Sequence, residues 1–133
     1  MKTLHMVAAT TLILLAAQAP ALGQGVAPDP NPGLQLTVAA RDGSWARSAG
    51  LACDPFPHGS HPLAVPACTA LSAANGDFDA LPGQPGVCRD PYQPVAVSAR
   101  GEYHGHPVDW RKKFANLCVL KAATGPVFAF ARG

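Results

Sequence analysis

Charge is scarce in this chain of 133 residues: 14% of its side chains are Asp, Glu, Lys or Arg, well below the ~25% of ordinary soluble domains. Ten Lys+Arg stand against eight Asp+Glu, a balance that gives no case for nucleic acid or an anionic membrane surface as partner. The longest apolar run, Met6 to Ala17, is interrupted only by Thr10 and Thr11. It is too short for a bilayer span, which needs ~20 residues. No Gly-x-Ser-x-Gly elbow occurs and no Gly-rich loop precedes a helix, so neither hydrolase nor phosphate-cradle chemistry has its usual sequence support. No Cys-x-x-Cys pair and no internal repeat is present. The length allows one domain and excludes a (β/α)₈ barrel.

The apolar run has a different explanation. A short start carrying Lys2 precedes it, and small residues at Ala19, Ala21 and Gly23 follow, the layout of a secretory leader over 1–23. Residues 24–33 are rich in Pro and Gly without hydrophobic periodicity and read as a flexible arm. The domain is then 34–133. Loss of the leader leaves nine basic against eight acidic side chains. An exported chain meets oxidising conditions, so Cys53, Cys68, Cys88 and Cys118 read as two disulfides. Three connectivities are open to four cysteines, and their positions alone do not choose.

Leu34 to Ala39 alternates apolar and polar, the period of a half-buried strand. Trp45 to Cys53 is its expected partner across the turn at Asp42-Gly43. From Leu63 to Ala74 apolar residues recur at three- and four-residue steps, predicting a helix that Asn75-Gly76 ends. Pro66 fits its first turn. Asp77 to Leu81 is expected to form a further helical turn. Between Leu81 and Pro94 stand Pro82, Gly83, Pro85, Gly86, Pro91 and Pro94, a density that leaves an exposed loop. Val95–Arg100 and Tyr103–Phe114 predict two strands joined near Gly101, and Val127–Phe130 a closing strand, five in all.

Cys53, His58, His61 and Cys68 would make a chemically reasonable zinc set, but export favours oxidation of the sulfurs. His104 and His106 flank Gly105 in an expected hairpin, where solvent-exposed histidines are common. No catalytic residue, cofactor or metal is expected. The loop Gly86 to Pro94 is the richer feature. Exposed, bracketed by prolines and carrying Cys88, it would lose little entropy on meeting a partner. An extended fixed loop is also what a protease cleft accepts through strand-like backbone pairing.

Further stretches sharpen that reading: Phe114-Ala115-Asn116-Leu117-Cys118, then Val127-Phe128-Ala129-Phe130, with Gly59-Ser60-His61-Pro62 ahead of the helix and Leu36-Thr37-Val38 in the first strand. With cysteine separations of 15 and 30, they resemble the Streptomyces subtilisin inhibitor family of secreted serine-protease inhibitors, from about Leu34 to Phe130. The resemblance implies an α+β fold, a five-stranded antiparallel sheet with two helices packed on one face. It also implies disulfides Cys53–Cys68 and Cys88–Cys118, and a homodimer through the sheet. The implied function is substrate-like inhibition of an extracellular subtilisin-like endopeptidase by the loop Cys88–Pro94. In the family register the reactive bond is Asp90–Pro91, with Cys88, Arg89, Tyr92, Gln93 and Pro94 as protease-contacting residues. Asn116 matches a residue that supports the loop.

Two loop residues depart from the family pattern. Asp90 stands where Met, Lys or Arg is usual, and a hydrophobic or acidic pocket desolvates a carboxylate at high cost. Pro91 lacks the N–H of an ordinary residue. These departures leave room for an acid-preferring target, for a one-step slide that places Arg89 in a trypsin-like pocket, or for a non-inhibitory exported binding or structural protein on the same scaffold.

Overall fold

The computed structural model describes residues 33–132 together with Ile13. The expected leader 1–23 and arm 24–33 therefore lie outside the described residues, apart from Ile13 and Gly33. The elements run β1 (Leu34–Ala40), β2 (Ala46–Leu51), α1 (Ala64–Ala73), a 3₁₀ turn (Phe78–Ala80), β3 (Val95–Tyr103), β4 (His106–Phe114), α2 (Leu117–Thr124) and a second 3₁₀ turn (Gly125–Phe128).

The strands form one antiparallel sheet in the order β2-β1-β3-β4. Alternation in β1 turns Leu34, Leu36 and Val38 inward and leaves Gln35 and Thr37 on the other face. Pairing puts Val97 opposite Val38 and Ala99 opposite Leu36, so β3 adds Val95, Val97 and Ala99 to the same inner face. One apolar cluster joins that face to Ala67 and Leu71 of α1, Leu120 of α2, and Val127 and Phe128 of the last 3₁₀ turn. The opposite face carries no helix among the described residues: Thr37, Ala39, Ala96, Ser98, Arg111 and Lys113 stand on it.

The expected helix is α1, with Pro66 in its first turn. It stops at Asn75 (φ 52°) and Gly76 (φ 76°), where the Gly76 N–H donates to the Leu71 carbonyl at 2.9 Å. A side chain at Gly76 would collide with the Tyr103 ring.

Three expectations need correction. The β3–β4 connection is not near Gly101. Tyr103 pairs with His106, so the turn is His104-Gly105, and both have positive φ, 48° and 77°, as a two-residue hairpin turn requires. Gly101 instead lies inside β3, so close to the Gly33 carbonyl that a Cβ would not fit. The expected closing strand Val127–Phe130 is also absent. Gly125 (φ 59°) and Pro126 open a 3₁₀ turn there, which seats Phe128 at 2% exposure against Trp110 and Phe78. The sheet therefore has four strands among the described residues, not five. Finally, α2 follows β4 after two residues, where pattern reading of the residues placed no helix. No helix among the described residues is long and apolar enough to cross a membrane.

Candidate functional site

Residues 81–94 contain neither helix nor strand, as their proline content dictates. The segment is nevertheless tied down along its length. Leu81 is buried in the core. Gly83 lies so close to the Ala122 carbonyl of α2 that any side chain would collide with it. Cys88 is bonded to Cys118, the second residue of α2, and Cys53 to Cys68. At the far end, the Gln93 N–H donates to the Ala115 carbonyl at 2.9 Å, and the Arg41 N–H to the Pro94 carbonyl at 3.0 Å. Between these anchors the chain faces solvent: Arg89, Asp90, Pro91 and Gln93 are exposed, Val87 is 81% exposed and Tyr92 74%.

Asn116 holds the middle. It is the N-cap of α2, its Oδ1 accepting from the Val119 N–H at 2.9 Å, the usual service of Asn at that position. Its Nδ2 reaches the other way and donates to the carbonyls of Asp90 at 3.2 Å and Pro91 at 3.4 Å. The orientation of the amide is settled by its partners, since a backbone N–H only donates and a carbonyl only accepts. At 6% exposure Asn116 is a buried polar group with both ends satisfied, the condition for such a group to hold a fixed geometry. A groove beside the loop is lined by Arg41, Asp42 and Trp45 of the β1–β2 turn, by Tyr92 and by Leu117.

The arrangement offers no nucleophile with an adjacent base. It offers an exposed backbone, rigid before contact, with pendant side chains on either side of a tethered centre. That is the form in which a segment enters an extended peptide-binding cleft at small ordering cost.

The other candidate residues are employed elsewhere. Cys53 and Cys68 share a disulfide, so the sulfurs of a zinc set are consumed. His61 is buried; its Nε2 donates to the Val127 carbonyl at 2.8 Å and its Nδ1 accepts from the Leu63 N–H at 2.9 Å. Burial holds its pKa below the ordinary 6.5, with the bond to Val127 acting weakly the other way. His58 Nδ1 bonds the Phe56 carbonyl and His104 Nδ1 lies 2.7 Å from Asp54 Oδ2. His106 is exposed at the start of β4. No group of three metal-ligating side chains occurs among the described residues.

The close approach of Gly83 to α2, the Arg41 anchor and the capping half of Asn116 come from the structure and not from the residue pattern. An Asn three residues ahead of Val119, with Gly125 eight residues beyond Leu117, was the available signal for the cap.

A family model described as subtilisin inhibitor-like matches residues 31–116. The chain is 42% identical to subtilisin inhibitor-like protein 5 of Streptomyces fradiae over 102 residues, 73% of this chain and 95% of that protein. It is 39% identical over 132 residues to a putative serine protease inhibitor of Streptomyces avermitilis, covering 96% of this chain and 88% of the other. Among solved structures it is similar to Streptomyces caespitosus sermetstatin in complex with Bacillus licheniformis subtilisin. The TM-score is 0.59 and the identity 34%, with 74% of this chain and 99% of that chain covered.

Proposed function

The chain belongs to the subtilisin inhibitor-like family, and from this we propose that it is an exported inhibitor of serine endopeptidases acting through residues 88–94. The observation that carries the proposal is the loop itself: solvent-facing, anchored at Cys88, Gln93 and Pro94, and held at its centre by Asn116. The protease meets this segment as it would a substrate. Because Cys88 and Asn116 hold the chain on both sides, a severed bond has its ends kept together, and religation competes with hydrolysis. The bond in question is Asp90–Pro91 or its neighbour one residue earlier.

The leader 1–23 serves export and leaves the arm 24–33 ahead of the domain; the two disulfides suit that destination. The uncovered face of the sheet, centred on Ala96 and Ser98, is the surface we assign to a second copy of the chain. Sedimentation at a single chain's mass, at micromolar concentration, would remove that assignment.

Titration of the purified protein into subtilisin and into trypsin tests the function. Stoichiometric loss of activity of at least one enzyme is expected. Unchanged rates for both at micromolar inhibitor would overturn it.

A further inference from the structure

We propose that the reactive bond is Arg89–Asp90, one residue before the position implied by the family register, and that the target is a serine endopeptidase with an acidic primary pocket. This rests on the inhibitory reading above and specifies its target class.

The first observation is the direction of a carbonyl. The carbonyl attacked by a protease has to point outward, into the enzyme's oxyanion hole, with donors about 3 Å from its oxygen. The Asp90 oxygen instead points inward: it lies 3.2 Å from Nδ2 of Asn116, a side chain only 6% exposed. Attack at Asp90 would have to break a bond that holds the loop. Among the described residues nothing in the scaffold donates to the Arg89 carbonyl.

The second observation is where the tethers fall. Cys88, directly before Arg89, is joined to Cys118. Asp90 and Pro91, directly after it, are held by Asn116, two residues before Cys118. The peptide bond with a scaffold anchor on each immediate side, and no anchor on its own carbonyl, is Arg89–Asp90.

Chemistry agrees. Arg89–Asp90 is an ordinary secondary amide, whereas the nitrogen of Pro91 belongs to a tertiary amide with no N–H to offer the enzyme. Pro91 also confines Asp90 to extended backbone, which helps aim the residue before it. Among the described residues the Arg89 guanidinium takes part in no ion pair; exposed, it is available to a carboxylate at the base of a pocket. In the covalent step the enzyme's serine oxygen bonds to the Arg89 carbonyl carbon and the carbon–nitrogen bond breaks. The Asp90 nitrogen then takes the proton that the enzyme's base removed from the serine. Reversal returns that proton to the serine as the tethered Asp90 amine reforms the amide.

The test pairs inhibition with the identity of the cut. The full chain and its Arg89→Gln and Arg89→Lys variants are titrated against trypsin and subtilisin. Each is also incubated for long periods with catalytic trypsin, reduced, and sequenced at the new N-terminus. We expect trypsin to be inhibited and Arg89→Gln to weaken this by about 100-fold or more, the effect of leaving a desolvated pocket carboxylate unpaired. Arg89→Lys should retain inhibition, and slow nicking should yield a fragment beginning at Asp90. An unchanged circular dichroism melt of Arg89→Gln keeps the loss assignable to the contact. A fragment beginning at Pro91, or inhibition of subtilisin with trypsin untouched, overturns the assignment and leaves the inhibitory reading standing. Inhibition of neither enzyme overturns both.

Discussion

The chain uses the same covalent device twice, to opposite ends. Between Cys53 and Cys68 the segment folds back into the body. Ala52 and His58 exchange two backbone hydrogen bonds, the Ser60 hydroxyl accepts from the Gly50 N–H at 2.8 Å, and His61 is buried. Between Cys88 and Cys118 the first residues after the cysteine stand out in solvent, and only the returning strands and α2 rejoin the core. Both segments open on prolines, Pro55 and Pro57 in the first and Pro91 and Pro94 in the second. What separates them is where their polar groups find partners. The first satisfies them within its own body, so it closes the core. The second holds Asp90 and Pro91 through one buried amide, Asn116, and leaves the side chains of Arg89, Asp90 and Tyr92 in solvent before the chain rejoins the sheet at Gln93 and Pro94.

The largest test of that contrast removes each bridge in turn. Cys53→Ser with Cys68→Ser should cost about 2–5 kcal/mol, the usual loss for a small exported domain, and weaken inhibition only through the fraction unfolded. Cys88→Ser with Cys118→Ser should cost a similar amount in a denaturant melt but turn the loop into a substrate, cut rapidly by the protease at temperatures where the fold persists. Equal effects of the two pairs on cleavage rate would dissolve the distinction.

Asn116 allows a finer separation. Asn116→Ala removes the cap as well as the loop support and should cost about 1–2 kcal/mol. Asn116→Asp keeps a capping acceptor, and its charge is favourable at a helix N-terminus, yet it has no N–H for the Asp90 and Pro91 carbonyls. Near-parental melting with faster loop cleavage is the expected outcome, read by thermal unfolding and by mass spectrometry of the nicked chain.

Protonation of His61 acts on the first loop. Burial lowers its pKa in the fold, and in the unfolded chain it titrates near 6.5. Below that pH the unfolded state binds more protons, so stability rises with pH across the window between the lowered value and about 6.5. His61 thus contributes its full stabilisation above that window and loses it as the pH falls through the folded value, when a proton on Nδ1 displaces the Leu63 N–H. Denaturant midpoints measured from pH 7 to pH 4 should show this slope, reduced in His61→Gln, with little change in the loop's cleavage rate at neutral pH. The smallest effect belongs to the exposed His104–Asp54 pair, each about half exposed. Asp54→Asn should change stability by less than about 1 kcal/mol in the same melts.

Much of this was legible in the residues because it depends on local chemistry. Alternation gave β1 and β3, three- and four-residue spacing gave α1, and proline density gave the loop. The misreadings share a cause: tertiary packing overrode a short pattern. Val127-Phe128-Ala129-Phe130 alternates as a strand would, but Gly125 and Pro126 start a turn, and Phe128 packs in the core against both Phe78 and Trp110. Leu117-Cys118-Val119-Leu120 is too short and too uniformly apolar to show a helical period; the marks of α2 are single residues at its ends, Asn116 and Gly125. At the candidate site, residue types and spacing identified the loop. The direction of the Asp90 carbonyl is a matter of three dimensions and has no signature in the sequence.

One side chain, finally, belongs to two elements at once. Because Asn116 caps α2 with one end of its amide and holds the loop with the other, fraying of the helix and slackening of the loop draw on the same group. A protease that clamps residues 88–94 should therefore slow hydrogen exchange at the Val119 and Leu120 amides, inside the scaffold and beyond the enzyme's own footprint. Those two amides would report occupancy of the loop from behind it.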